Sequence, residues 1–263
     1  MRTTIPSSLH LFRQCLLLGF LLTPVLAVGQ VPNFEDTLRL AEEGDAVAQY
    51  NLGWMYDHGE GVPENNTEAM KWYRLAADQG LAAAQRNIGA LYKNGEDIPQ
   101  NYAEAVKWFR LAADQGDANA QYNLGVMYGN GEGVPEDNAE EVKWYRLAAE
   151  QGIADAQYNL GIRYENGVEV PQDYAEAVKW FRLAADQGDA NAQYNLGVMY
   201  ALGRGVPENY VTAYAWFNIS AASGDELAIS NRSAAEARMT PAQIAEAQQL
   251  STEIFERIQQ GSQ

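Results

Sequence analysis

One hexapeptide, AQYNLG, stands at 48–53, 120–125, 156–161 and 192–197, and a variant, AQRNIG, fills 84–89. The spacing is 36 residues every time. A period of this length restricts a chain to architectures made by stacking one small unit, because such a unit cannot bury its apolar face alone. Tryptophan keeps step at Trp72, Trp108, Trp144, Trp180 and Trp216, and proline at Pro63, Pro99, Pro135, Pro171 and Pro207. Five modules follow: 45–80, 81–116, 117–152, 153–188 and 189–224. The residue after tryptophan alternates Tyr73, Phe109, Tyr145, Phe181, and 102–128 recurs letter for letter as 174–200. A duplicated two-module unit accounts for both.

Each module reads as two helices. In the first, Ala48, Leu52, Met55 and Tyr56 form an apolar stripe at helical spacing. Gly53 inside that helix is worth about 1 kcal/mol less than alanine, and glycine recurs there in every module. A close approach of the second helix is the compensation expected. After a glycine- and proline-bearing loop, Asn65, Asn101, Asp137 and Asp173 are each followed three residues later by Glu68, Glu104, Glu140 and Glu176. This predicts reciprocal capping boxes; in module five, Thr212 after Asn209 makes the box weaker. Ala105, Trp108, Phe109 and Ala112 form the stripe of such a second helix. Gly80, Gly116, Gly152, Gly188 and Gly224 end the second helices as left-handed caps, and Asp45, Asp117 and Asp189 cap the helices that follow. Connections so short require antiparallel neighbours.

The ends read as caps. Residues 30–44 hold a lone helix resembling a second helix, and 225–263 hold an alanine-rich helix followed by another opened by Thr240-Pro241-Ala242-Gln243. Ile244, Ala247, Ser251, Ile254, Phe255 and Ile258 line one side of that last helix. Residues 1–29 read as a signal peptide: Arg2 and Arg13 lead, 15–28 is apolar, and small residues follow. The run is shorter than the roughly 20 residues of a spanning helix, so the exported chain is expected to insert in no membrane. Cleavage removes Cys15, the sole cysteine, and with it any disulfide or thiol chemistry. The formal net charge is −17, which argues against nucleic acid and favours partners with basic segments.

The order A-x(3)-LG-x(2)-Y, then G-x-G-V-P, then A-x(2)-W-x(3)-A-A-x(2)-G resembles the Sel-one-like repeat, a relative of the tetratricopeptide repeat. The resemblance covers 45–224. It implies an all-α fold, a right-handed α-solenoid of antiparallel helix pairs with terminal capping helices. It also implies an adaptor or scaffold for protein complexes, often periplasmic or secreted in bacterial members. Some cysteine-rich relatives are associated with β-lactam binding or hydrolysis, but their helix pairs are disulfide-linked and the mature chain expected here has no cysteine. An enzyme of the cell envelope and a purely structural spacer remain the alternative readings.

No catalytic, cofactor or metal constellation can be assembled. The histidines are His10, in the leader, and His58, in a loop, and the acidic loops around Glu60 and Glu132 lack the ligand order of a calcium loop. Arg74, Arg110, Arg146 and Arg182 stand four before Asp78, Asp114, Glu150 and Asp186, the spacing of surface ion pairs. The candidate binding residues are Asn51, Asn87, Asn123, Asn159 and Asn195, which recur before each Leu-Gly or Ile-Gly pair. In the related tetratricopeptide solenoids the matching asparagines line a concave groove and hold an extended peptide backbone, work suited to a group that both donates and accepts. The plainer reading is that each ties neighbouring modules together. Trp54 is the aromatic anchor candidate, and Tyr122, Tyr158 and Tyr194 join it as groove candidates. Specificity is expected from positions that vary between copies: Trp54, Ala90, Val126, Ile162 and Val198 share one, and Asp57, Lys93, Gly129, Glu165 and Ala201 another.

Overall fold

The structure, a computed structural model, describes residues 33–261; the expected leader lies outside them. The described residues form thirteen α-helices and one short 3-10 turn, with no strand. A leading helix, α1 (Phe34–Glu42), precedes five pairs. These are α2 (Ala46–His58) with α3 (Asn66–Asp78), α4 (Ala82–Asn94) with α5 (Tyr102–Asp114), α6 (Ala118–Asn130) with α7 (Asn138–Glu150), α8 (Ala154–Asn166) with α9 (Tyr174–Asp186), and α10 (Ala190–Leu202) with α11 (Tyr210–Ser220). Two helices close the array, α12 (Glu226–Glu236) and α13 (Pro241–Gly261). The two helices of each pair pack on one another, and each second helix also packs on the first helix of the next pair, so the fold is a solenoid of stacked antiparallel hairpins.

Gly53 earns its place in α2 as expected. A Cβ built there would lie 2.6 Å from the Tyr73 ring, and one at Gly89 against Phe109, Gly125 against Tyr145, Gly161 against Phe181 or Gly197 against Phe217 would lie at 2.5–2.8 Å. The aromatic residue after each tryptophan thus abuts the glycine of its partner helix. In four of the five pairs a first-helix tyrosine covers the same ring: Tyr50–Tyr73, Tyr122–Tyr145, Tyr158–Phe181 and Tyr194–Phe217 centroids lie 5.7–6.0 Å apart. Leu52, Ile88, Leu124, Leu160 and Leu196 complete the core and are fully buried.

The second helices of the first four pairs end in Schellman motifs; α11 instead ends at Ser220, and Gly224, expected to end it, caps the 3-10 turn Ala221–Ser223. Gly80, at φ +89°, donates to Ala77 O, and Leu81 N–H reaches back to Ala76 O. Asp45, Asp117 and Asp189 then cap the next helix, each accepting from the backbone N–H three residues on. At the start of the second helices only half of the capping box forms. Asn65 accepts from Glu68 N–H, but its own N–H is bonded to Tyr56 O, and the pattern repeats in all five pairs. The glutamates are therefore free to turn outward, where Glu68, Glu104, Glu140 and Glu176 pair with the lysines three residues on.

The arginine pairing expected along the second helices is also corrected. Arg74, Arg110, Arg146 and Arg182 donate instead to the hydroxyls of Tyr92, Tyr128, Tyr164 and Tyr200, each on the first helix of the next pair. A planar guanidinium gains both the hydrogen bond and the ring face, and Arg110, Arg146 and Arg182 lie 5.6–5.7 Å from their ring centroids. Asp186, the expected partner of Arg182, is paired with Arg257 of α13 at 2.8 Å. On α13, Ala247, Ser251, Ile254 and Ile258 are buried, whereas Phe255, placed on that side from the sequence, is 49% exposed.

Candidate functional site

The first helices carry every residue singled out as a binding candidate. Among the described residues, two cavities open between consecutive first helices, and they occupy the same place in the repeat four modules apart. One, of about 290 Å³, lies between α2 and α4 and is lined by Tyr50, Trp54, Asp57, His58, Arg86 and Asn87, among others. The other, of about 330 Å³, lies between α10 and α12 and takes in Tyr194, Val198, Ala201 and Leu202, with Asn231 and Ala234 opposite. Val198 stands where Trp54 does, Ala201 where Asp57 does and Leu202 where His58 does. The positions that vary between copies thus decide the chemistry of each cavity: aromatic and charged at the first, aliphatic at the second.

Trp54 is half-buried and stacks on His58, with centroids 4.5 Å apart and ring planes at 21°. His58 Nδ1 lies 3.1 Å from Trp54 O. Asp57 accepts from the Tyr73 hydroxyl at 3.0 Å. Burial pushes Tyr73 well above the ordinary phenol range and the Asp57 carboxylate adds to it, so this hydroxyl donates at any physiological pH. Arg86 is held at 3.2 Å by Asp117, the cap of α6.

The asparagines sit in one row at half-buried positions. Asn87 lines the first cavity. Asn123 accepts from Lys93 Nζ at 3.0 Å and donates to Asn119 O. Asn159 faces the Tyr122 hydroxyl and Asn195 the Tyr158 hydroxyl. Burial raises both phenols, with Asp155 acting on Tyr122 and Asp189 on Tyr158, and each asparagine opposes the rise. Asn231, one period beyond Asn195, donates to the Tyr194 hydroxyl at 2.9 Å. From α4 onward the row therefore links first helices to their successors while keeping carboxamides at the surface of the face.

A second polar row escaped the reading of the sequence. Gln49, Gln85, Gln121, Gln157 and Gln193 are buried, and each donates to the carbonyl of the alanine eight residues earlier, Ala41, Ala77, Ala113, Ala149 and Ala185. These carbonyls belong to helix C-terminal turns, where each also accepts from the N–H of the glycine three residues on, so the glutamine takes a second lone pair left open by the end of the helix. Gln79, Gln115, Gln151 and Gln187 in turn donate to the Oε1 atoms of the first four. The invariance of glutamine in AQ-x-N was the signal available, since a polar residue at fixed phase beside a buried alanine needs a partner.

A family model for the Sel1 repeat matches 46–81, 82–117, 118–153, 154–189 and 190–225. The chain belongs to the Sel1 repeat family. Sel1 repeats build helical scaffolds that generally mediate protein interactions. Among solved structures, the chain is similar to c5321, described as a protective antigen present in uropathogenic Escherichia coli strains displaying an SLR fold. The two share 34% identity with a TM-score of 0.78, over 86% of this chain and 49% of that one. It is also similar to a Sel1 repeat protein from Oxalobacter formigenes, at 38% identity and a TM-score of 0.66, over 73% of this chain and 76% of that one. The present chain thus spans about half the length of the E. coli antigen. Among curated proteins none matches significantly. No described helix is long and apolar enough to cross a membrane, and no group of three or more metal-ligating side chains occurs among the described residues.

Proposed function

We propose that this Sel1 repeat protein is an exported, non-enzymatic adaptor that holds a protein or peptide segment along the face formed by its first helices. The leader composition at 1–29 supports export, and the charge of −17 supports a partner with basic segments. The observation that carries the reading is the repeated cavity: the same niche is open at both ends of one face, and its variable positions differ in chemistry. A face that only packed modules together would have no reason to hold a half-buried tryptophan over a 290 Å³ cavity. Aromatic residues in such settings are frequent binding anchors.

Photo-crosslinking tests this. A benzophenone amino acid is placed at position 54 on the first-helix face, and in a second variant at Leu111, which is 48% exposed on a second helix. A discrete partner adduct from position 54, weakened by Asn123→Ala with Asn159→Ala, is expected. Adducts from position 111 alone would favour a spacer that uses its outer face, and turnover of a β-lactam or peptidoglycan probe by the pure chain would favour the enzyme reading.

A further inference from the structure

The cavity between α10 and α12 does not end at its aliphatic wall. It shares Tyr210 and Arg238 with a neighbouring cavity of about 360 Å³, formed by the start of α11, the end of α12 and the start of α13. The two cavities therefore adjoin, and an extended chain lying across Tyr210 and Arg238 would meet both. The second compartment is lined by Glu208 and Glu246, with Asn209 and Gln243. Neither glutamate has an ion-pair partner among the described residues. Arg238 is held away from them: Nη1 donates to the Tyr210 hydroxyl at 2.9 Å, and the guanidinium lies 5.3 Å from that ring centroid. Two carboxylates against one guanidinium leave the compartment net negative, the sign of the whole chain.

We propose that this end of the molecule binds an extended segment that places one large apolar side chain between α10 and α12 and an adjacent lysine or arginine between Glu208 and Glu246. The inference rests on the groove reading above and adds the chemistry of its occupant. A volume of 330 Å³ lies near the lower end of ligand pockets, which run from about 300 to 1,000 Å³, so it suits one side chain and not an extended small molecule. Val198, Ala201, Leu202, Ala234 and Ala235 provide its apolar surface. On its wall the Asn231 amide is turned onto the Tyr194 hydroxyl, and the aliphatic side chains supply most of what an entering group would touch. The occupant's charge is set next door, where opposite sign selects the partner and speeds its approach.

A random dodecapeptide display library is panned against the full chain, and the enriched peptides are measured by fluorescence anisotropy. Enriched sequences should carry Phe, Leu, Met or Trp next to Lys or Arg. Ala234→Trp fills the cavity from an exposed position and should weaken binding about tenfold or more. Leu202→Glu, at the exposed rim, provides a second variant should the first disturb folding by circular dichroism, and should act in the same direction. E208Q with E246Q should weaken binding several-fold and flatten its salt dependence. Enriched peptides that are acidic, or no enrichment, would overturn the inference. So would binding indifferent to Ala234→Trp and Leu202→Glu but lost in Trp54→Ala; that result would leave the groove reading standing. Binding lost only in Leu111→Glu, on the outer face, would overturn both.

Discussion

Replacing Arg163 by methionine is expected to destabilise the solenoid strongly, and replacing Glu141 by alanine in the same chain is expected to restore it. Glu141 is 3% exposed. It occupies a position that is a fully buried alanine in the other four modules, Ala69, Ala105, Ala177 and Ala213. Arg163 stands where Met55, Leu91, Met127 and Met199 do, and its Nη2 lies 2.5 Å from Glu141 Oε1. Room for the carboxylate comes from Gly129, where a Cβ would fall 2.6 Å from that same oxygen; the equivalent residues are Asp57, Lys93, Glu165 and Ala201. Glu141 Oε2 is buried without a hydrogen bond, so the arginine is what compensates the charge.

Removing one member of a buried pair leaves the other uncompensated and costs about 3–5 kcal/mol. Arg163 retains 25% side-chain exposure, so water can reach the gap and the lower end, about 3 kcal/mol, applies to R163M. E141A leaves a partly exposed guanidinium that can turn to solvent, for a smaller loss of about 1–2 kcal/mol. The double variant reproduces the alanine–methionine pairs at the two neighbouring junctions, Ala105 with Met127 and Ala177 with Met199, and apolar replacement of a buried pair is neutral or stabilising by about 1–4 kcal/mol. Urea unfolding followed by circular dichroism at 222 nm measures all four corners of the cycle. With a slope of about 1–3 kcal/mol per molar, the R163M midpoint should fall by at least about 1 M. An R163M midpoint equal to that of the parent, or a double variant no better than R163M, would refute the reasoning.

Three further outcomes are expected. Gly89→Ala gains about 1 kcal/mol of helix propensity but sets a Cβ 2.8 Å from a fully buried Phe109 ring; overpacking of about 1–3 kcal/mol prevails, so thermal melting should drop, and Phe109→Leu in the same chain should recover part of it. Burial raises Tyr73 and Tyr145 far above their ordinary value of 10.0, with Asp57 and Glu141 adding to it. In the unfolded chain these phenols lose protons first, so stability holds below about pH 10 and falls above it by about 1.4 kcal/mol per group per pH unit. Tyr73→Phe with Tyr145→Phe, matching Phe109 and Phe181, should flatten the alkaline limb of a stability–pH series. Glu169 has φ +57° where Gly61, Gly133 and Gly205 also take positive φ; Glu169→Gly relieves about 1–2 kcal/mol of left-handed strain and gives back about 0.5–1 in chain entropy, so a small rise in urea midpoint is expected.

The sequence by itself determined the period, the helix pairs, their caps and the family, because each rests on forces acting within a few residues or on the next copy of the same unit. A glycine in phase with an aromatic, an aspartate three residues before a helical N–H and a glycine after each last turn are read without coordinates. Only the tertiary structure decided where long side chains end. Asn65 N–H went to Tyr56 O instead of a glutamate, the arginines chose tyrosines 18 residues away over acids four away, and glutamines paired across 30 residues. The two end cavities emerged in the same way. Lys93 reaches from one first helix to Asn123 of the next and Arg163 reaches back to Glu141 on a second helix, and that reach is a property of packed neighbours in three dimensions, to which a repeat pattern in one dimension is blind.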